Sequence, residues 1–114
     1  MIYQKIGKEM IKQNYDILGI GNAVTDILVE VDYSFLKKNE LEEGAMQLVD
    51  EAVINNLLSD LSISKTLAGG SVANTLATIS NLGGHCAFIG SRKNDKFGKL
   101  FSKSMNENNI YLSN

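Results

Sequence analysis

Apolar and polar positions alternate along this chain in two rhythms, and the switches between them predict its elements. Ile17-Leu18-Gly19-Ile20-Gly21 is a short, nearly continuous apolar run closed by glycine, the pattern of a buried parallel strand. Asn22–Thr25 predicts a turn. Asp26–Asp32 then alternates, with Ile27, Val29 and Val31 on one face and Leu28, Glu30 and Asp32 on the other, as in a half-exposed strand. Ser34 is placed to cap a short helix through Lys38, which Glu42-Glu43-Gly44 punctuates, and Ala45–Val49 reads as a further short strand. Asp50 fits the N-cap of a helix whose apolar face is Val53, Ile54, Leu57, Leu58 and Leu61. Lys65–Ala68 predicts a brief strand before Gly69-Gly70. Val72, Ala73, Leu76, Ala77 and Ile79 mark a helix ending at Leu82, with Gly83 or Gly84 in the left-handed cap position. Cys86–Gly90 predicts a second buried strand, and Asp95 can cap a helix that turns Phe97, Leu100, Phe101 and Met105 inward. Ile110–Asn114 looks like the opening of another strand. Upstream, Ile2, Ile6 and Met10 recur at i, i+4 and i+8, a weak helical stripe or a frayed tail in an N-terminal extension, residues 1–14. Strands alternating with helices are the grammar of an α/β domain with a mainly parallel sheet.

Composition narrows the class without naming a function. A chain of 114 residues suits one ordinary domain. With 44% hydrophobic and 21% charged residues it has the make-up of a folded globular protein rather than a disordered one. A net charge of -2 favours neither a nucleic-acid backbone nor an acidic membrane surface, so neither is expected as a partner. No apolar run approaches the roughly 20 residues that span a bilayer. Lys5, Lys8, Glu9 and Lys12 interrupt the N-terminal apolar positions, which argues against a signal peptide. The lone Cys86 rules out an internal disulfide and fits a reducing, cytoplasmic setting.

Several nucleotide and metal motifs fail on inspection. Gly19-Ile20-Gly21 follows a strand, but a dinucleotide fingerprint needs a third glycine where Val24 stands, and the strand-like Asp26–Val31 occupies the place of its helix. A P-loop is excluded because Gly98-Lys99 is followed by Leu100, and Lys93 stands where its first glycine should be. His85 is the only histidine and adjoins Cys86, on opposite faces of one strand, so a strand-entry histidine and a buried thiol are expected rather than a metal pair. The same adjacency places His85 badly as a base for Cys86.

Two segments do converge. Gly21-Asn22-Ala23-Val24-Thr25-Asp26 sits at the C-terminal end of the first predicted parallel strand, the end at which open α/β sheets bind ligands. Asp26 and Asn22 bring a carboxylate and an amide there, and a carboxylate accepting two hydrogen bonds suits the vicinal hydroxyls of a sugar ring. Ala68-Gly69-Gly70-Ser71-Val72-Ala73-Asn74 places a diglycine at a helix start. Glycines there let a ligand approach the backbone, and the first helical N–H groups point outward. Taken singly, Gly69-Gly70 reads as a tight turn and Asp26 as a strand terminator. Together with Asn22 and Asn74 at one predicted sheet edge, they read as a site.

Gly21-Asn22-x-x-x-Asp26, Ala68-Gly69-Gly70-Ser71-x-x-Asn74 and Gly90-x4-Asp95-x2-Gly98, in that order, resemble the N-terminal signature of the PfkB carbohydrate kinase (ribokinase-like) family. Val31-Asp32-x-x-Phe35-Leu36 and Asp95-Lys96-Phe97-Gly98 look closest to its adenosine-kinase-like branch. The resemblance runs from about Tyr15 to Ile110 and implies that 15–114 is the N-terminal portion of a ribokinase-like three-layer α/β kinase domain. It implies that Asn22, Asp26, Gly69, Gly70, Ser71 and Asn74 bind the hydroxyls of a sugar or nucleoside, and that Met46 and Leu48 lie near its base or ring. It further implies that Asp26–Val31 and Ala45–Val49 belong to a small sheet lidding the substrate.

The same resemblance implies ATP and Mg2+ for the complete enzyme, from a Gly-Ala-Gly-Asp helix start in its C-terminal half. No Gly-x-Gly-Asp occurs here, so no catalytic residue and no bound cofactor or metal is expected in this chain alone. Asn39-Glu40-Leu41-Glu42 matches a metal-associated Asn-x-x-Glu pattern only in form, in the wrong third of the fold. A truncated or split gene product, or a piece of a longer chain, is therefore expected. It would be a kinase half that works with a complementary C-terminal polypeptide or, alternatively, a non-catalytic remnant that binds ligand weakly or self-associates. Self-association is expected through Ile27, Val29, Val31, Ile110, Tyr111 and Leu112.

Overall fold

The computed structural model describes residues 2–6 and 9–113, with side-chain surroundings given from Asn14 onward. In chain order the elements are β1 (Ile2–Ile6), β2 (Glu9–Gln13), β3 (Ile17–Ile20), β4 (Val24–Val29), α1 (Tyr33–Lys38), α2 (Glu51–Ser59), β5 (Ile63–Gly69), α3 (Ser71–Asn81), β6 (Cys86–Ile89), α4 (Lys96–Glu107) and β7 (Ile110–Leu112). They divide into two units. One comprises the segments up to Asp26 and from Leu67 onward, the other Ile27–Thr66.

The first unit is built on a parallel sheet in the order β3-β6-β7. Ile17 pairs with Cys86 and Gly19 with Phe88, while Cys86 and Phe88 pair in turn with Ile110 and Leu112. Because strand side chains alternate in face, Gly19, Cys86, Phe88, Ile110 and Leu112 share one side of the sheet. Helices α3 and α4 close that side. Ala73 and Leu76 from α3, and Phe101 and Met105 from α4, join Cys86, Phe88 and Ile110 in a single buried cluster. The Phe88 and Phe101 rings meet at 5.3 Å in a tilted arrangement, a favoured geometry for aromatic pairs. Asp95 caps α4 by accepting from Gly98 N at 2.9 Å, and α3 ends at Leu82 before Gly83, whose φ is +94°. These elements match the pattern read from the sequence, as does the mainly parallel α/β architecture.

Four local expectations are corrected. The segment expected as a helical stripe or a frayed tail is an antiparallel pair, β1 with β2, in which Ile2 faces Gln13 and Ile6 faces Glu9. A spacing of four is a multiple of the strand period as well as about one helical turn, so it does not discriminate. In β3 only Gly19 is buried; Ile20 is 71% exposed, because β3 is an edge strand and Leu18 and Ile20 face away from α3. Asp32, not Ser34, caps α1, accepting from Phe35 N at 2.9 Å, and the Ser34 hydroxyl donates to the same carboxylate at 2.7 Å. Ala45–Val49 is not a strand. It lies between Gly44, with φ +75°, and the Asp50 cap of α2, and β4 takes β5 as its ladder partner instead. A strand without a partner leaves its backbone groups to water.

No residue of Ile27–Thr66 is buried. Ile27 and Val29 are half-buried as the alternation of β4 requires, and Leu57, Leu58 and Leu61 are the better-covered part of the expected α2 face. Among the residues expected to be exposed for self-association, Ile110 is instead in the core and Tyr111 and Leu112 are half-buried. Ile110 and Leu112 pack with the core cluster, and the Tyr111 ring stacks on Tyr15 at 5.5 Å.

Burial first, and the Asp16 carboxylate second, push the Cys86 thiol above its ordinary pKa. The neutral thiol is therefore the folded-state species. Its stabilising effect is complete below the ordinary thiol pKa and fades as pH rises through the raised one. Cys86 is the only thiol, so a chromogenic disulfide reagent at pH 8 should release colour from the chain only once urea unfolds it. Prompt reaction in native buffer would show that β6 is not closed over as described.

Candidate functional site

Three backbone segments of the first unit meet at the C-terminal end of β3. The β3 ladder runs one step past the strand, Gly21 N donating to Ile89 O at 3.1 Å. The chain then passes through Asn22 and Ala23 into β4, and β5 returns to end at Gly69 against Asp26. Contact at Gly69 is close enough that a Cβ there would overlap both carboxylate oxygens of Asp26. Gly69 is thus glycine because the carboxylate occupies the space its side chain would fill. Gly70 is glycine for another reason. Its φ of +92° and ψ of 151° form a conformation that residues with a Cβ rarely adopt. That turn throws the chain directly from β5 into α3.

The result is an open helix start. Gly70 offers no side-chain cap, and the first turn of α3 carries no acidic residue. Its peptide dipoles therefore present a partial positive charge and free donors. Gly70 also lies over the β3–β4 loop, where a Cβ would stand 3.5 Å from the Asn22 carbonyl oxygen. Ser71 is the first residue of α3 and exposed. Asn74, also exposed, closes the first turn by donating from its N to Gly70 O at 3.0 Å. Asn22 and Asp26 are exposed too, and among the described residues the Asp26 carboxylate accepts no protein hydrogen bond. The arrangement is a carboxylate and amide groups at an uncapped helix start, open to solvent and able to accept from and donate to a hydroxylated ligand.

Two supports were not visible in the sequence. Thr25 Oγ1 donates to Phe97 O at 3.1 Å, fixing the start of β4 to α4. Ser104, buried in α4, accepts from Ala68 N at 2.9 Å through its hydroxyl, fixing β5 one residue before the diglycine. A serine on the inner face of an amphipathic helix was the available signal, since buried hydroxyls find partners.

Of the sequence-predicted site residues, the fold brings together Asn22, Asp26, Gly69, Gly70, Ser71 and Asn74. Met46 and Leu48 belong to the other unit, in the non-strand segment 45–50, and each is 90% exposed. Among the described residues no three His, Cys, Asp or Glu side chains converge as a metal site would require. His85 instead donates from its backbone N to Asp16 Oδ2 at 2.8 Å.

Solved structures share the fold of this chain. A probable sugar kinase from Rhizobium etli CFN 42 is similar over 87% of this chain, with 31% identity and a TM-score of 0.68. The adenosine kinase of Sinorhizobium meliloti is similar over the same share, with 34% identity and a TM-score of 0.68. The chain has the fold of the N-terminal part of a sugar kinase. It spans 30% of the length of each of these two proteins. An adenosine kinase from Schistosoma mansoni, solved in complex with tubercidin, shares this fold over 84% of the chain at 22% identity and a TM-score of 0.66. No family model and no curated protein matches the chain.

The contact of Asp26 with Gly69 makes a direct prediction. Gly69→Ala should destabilise the chain by about 1–3 kcal/mol in urea unfolding, the usual range for overpacking a filled space. The same substitution in an Asp26→Ala background should cost less, since the obstructing carboxylate is gone. Equal costs in the two backgrounds would show that the carboxylate does not occupy that space.

Proposed function

We propose that this chain is the acceptor-binding side of a sugar or nucleoside kinase, and that Asp26 accepts hydrogen bonds from two neighbouring hydroxyls of the ring it holds. The observation that carries this reading is the Asp26 carboxylate held against Gly69 beside the uncapped start of α3. A carboxylate has two oxygens and only accepts, so it suits adjacent hydroxyls, each of which donates once. Asn22 and Asn74 add amide groups that both donate and accept, and Gly69 and Gly70 keep side chains out of the ligand's path. The named activities of the similar solved structures, a probable sugar kinase and adenosine kinases, support the same class of ligand. On this reading the chain's part in catalysis is positioning. It fixes the acceptor ring so that one hydroxyl is presented for transfer.

Phosphoryl transfer also needs a base for that hydroxyl and cationic or N–H groups on the moving phosphate. The chain contains no Gly-x-Gly-Asp, and among its described residues no three His, Cys, Asp or Glu side chains gather. ATP, Mg2+ and the catalytic base come, in this proposal, with a complementary polypeptide, and the 114-residue chain transfers no phosphate by itself. Association with that polypeptide or with a second copy would use the free edges of the β3-β6-β7 sheet. No helix among the described residues is long and apolar enough to cross a membrane.

Calorimetric titration with adenosine and with ribose tests the ring site. Loss of a charged acceptor of two hydrogen bonds costs about 1.5–3 kcal/mol, so Asp26→Asn should weaken the better ligand by about tenfold or more. Neither sugar binding, or Asp26→Asn binding as wild type does, would refute the assignment. A coupled assay should show no acceptor-dependent ADP release from ATP and Mg2+ by the isolated chain. Release that is lost in Asp26→Ala would mean the chain carries the whole machinery.

A further inference from the structure

A concave site lies on α4 and involves none of the residues assigned to the ring. A groove of about 970 Å³ runs between the loop after β6 and the outer face of α4. Lys99 and Lys103 lie four apart on the helix and so share one stripe, with Ser102 and Asn106 beside them. Arg92 and Lys93 supply cations from the facing loop. Four of the chain's eleven Lys and Arg residues thus line this groove against Glu107, one of its thirteen carboxylates. Glu107 is itself engaged, lying 3.8 Å from Lys103 Nζ. The Arg92 guanidinium is held in place by donating to Ser113 O at 3.4 Å.

We infer that this groove binds a small soluble anion carrying phosphate groups. Cations gathered in a concavity focus a positive potential and favour a multiply charged ligand over chloride. The lysines act as point charges toward phosphate oxygens, and the guanidinium of Arg92 adds positive charge to the wall. Ser102, Asn94 and Asn106 add neutral hydrogen-bonding groups along the walls. A compact ligand is favoured over an extended polyanion because the chain outside the groove is dominated by carboxylates, which repel a long phosphate backbone.

Inorganic pyrophosphate titrated into the full chain by calorimetry at low salt tests this. One saturable site is expected, weakened by about tenfold or more in the double variant Lys93→Gln/Lys99→Gln, which removes two charge-assisted contacts. The variant Lys37→Gln/Lys38→Gln removes the same charge from α1 and should bind as wild type does. No saturable heat, or equal weakening in both double variants, overturns the inference, as does co-sedimentation with anionic phospholipid vesicles in place of pyrophosphate binding. Circular dichroism confirms that each variant keeps its helices. Asp26→Asn should leave pyrophosphate binding unchanged, so this site and the ring site stand or fall separately.

Discussion

Helix α3 lies so close to β3 that the side chains of Val72 and Leu76 fill the space a Cβ at Gly19 or Gly21 would need. That approach constrains much of the first unit. It brings Leu76 and Ala73 onto the sheet face that carries Cys86 and Phe88, and it places the beginning of the helix level with the end of the strand. The β3–β4 loop and the Gly69-Gly70 turn then have to meet there. Packing that close is available only where the strand offers glycine, so the same residues that admit the helix also fix where the loop and the turn meet.

Legibility in the sequence followed how far each element depends on its neighbours. Helices α2 and α4 announce themselves through an aspartate cap and an apolar stripe, Asp50 and Asp95 being the caps, and α3 through a stripe set between the diglycine and Gly83. The parallel strands β3 and β6 were readable as apolar runs. Strand pairing depends on partners far along the chain, and there the reading failed. Ala45–Val49 is a short, mostly apolar run with no partner, while β4 pairs with a segment that begins at Ile63. The N-terminal pair β1 and β2 was missed because a spacing of four fits both periods.

Six residues singled out in the sequence lie together at the C-terminal end of β3, where the structure gives a reason for two of them being glycine. Asp26 and Gly69 illustrate the point, since neither is informative alone and the structure shows one filling the space left by the other. Met46 and Leu48 had no such reciprocal partner. Their assignment came from the resemblance alone, and both side chains are exposed.

The two hydrogen bonds that α4 accepts, from Thr25 and from Ala68, hold the strands one residue before Asp26 and one before Gly69. Helix α4 therefore acts as a common mounting for both halves of the carboxylate–glycine contact. A rigid displacement of the helix carries the two strand ends in the same direction, so the aim of the site changes while its internal spacing is kept. Sequence drift in the core beneath α4, at Phe101 or Met105, can then retune where the carboxylate points without separating it from the glycine against which it rests.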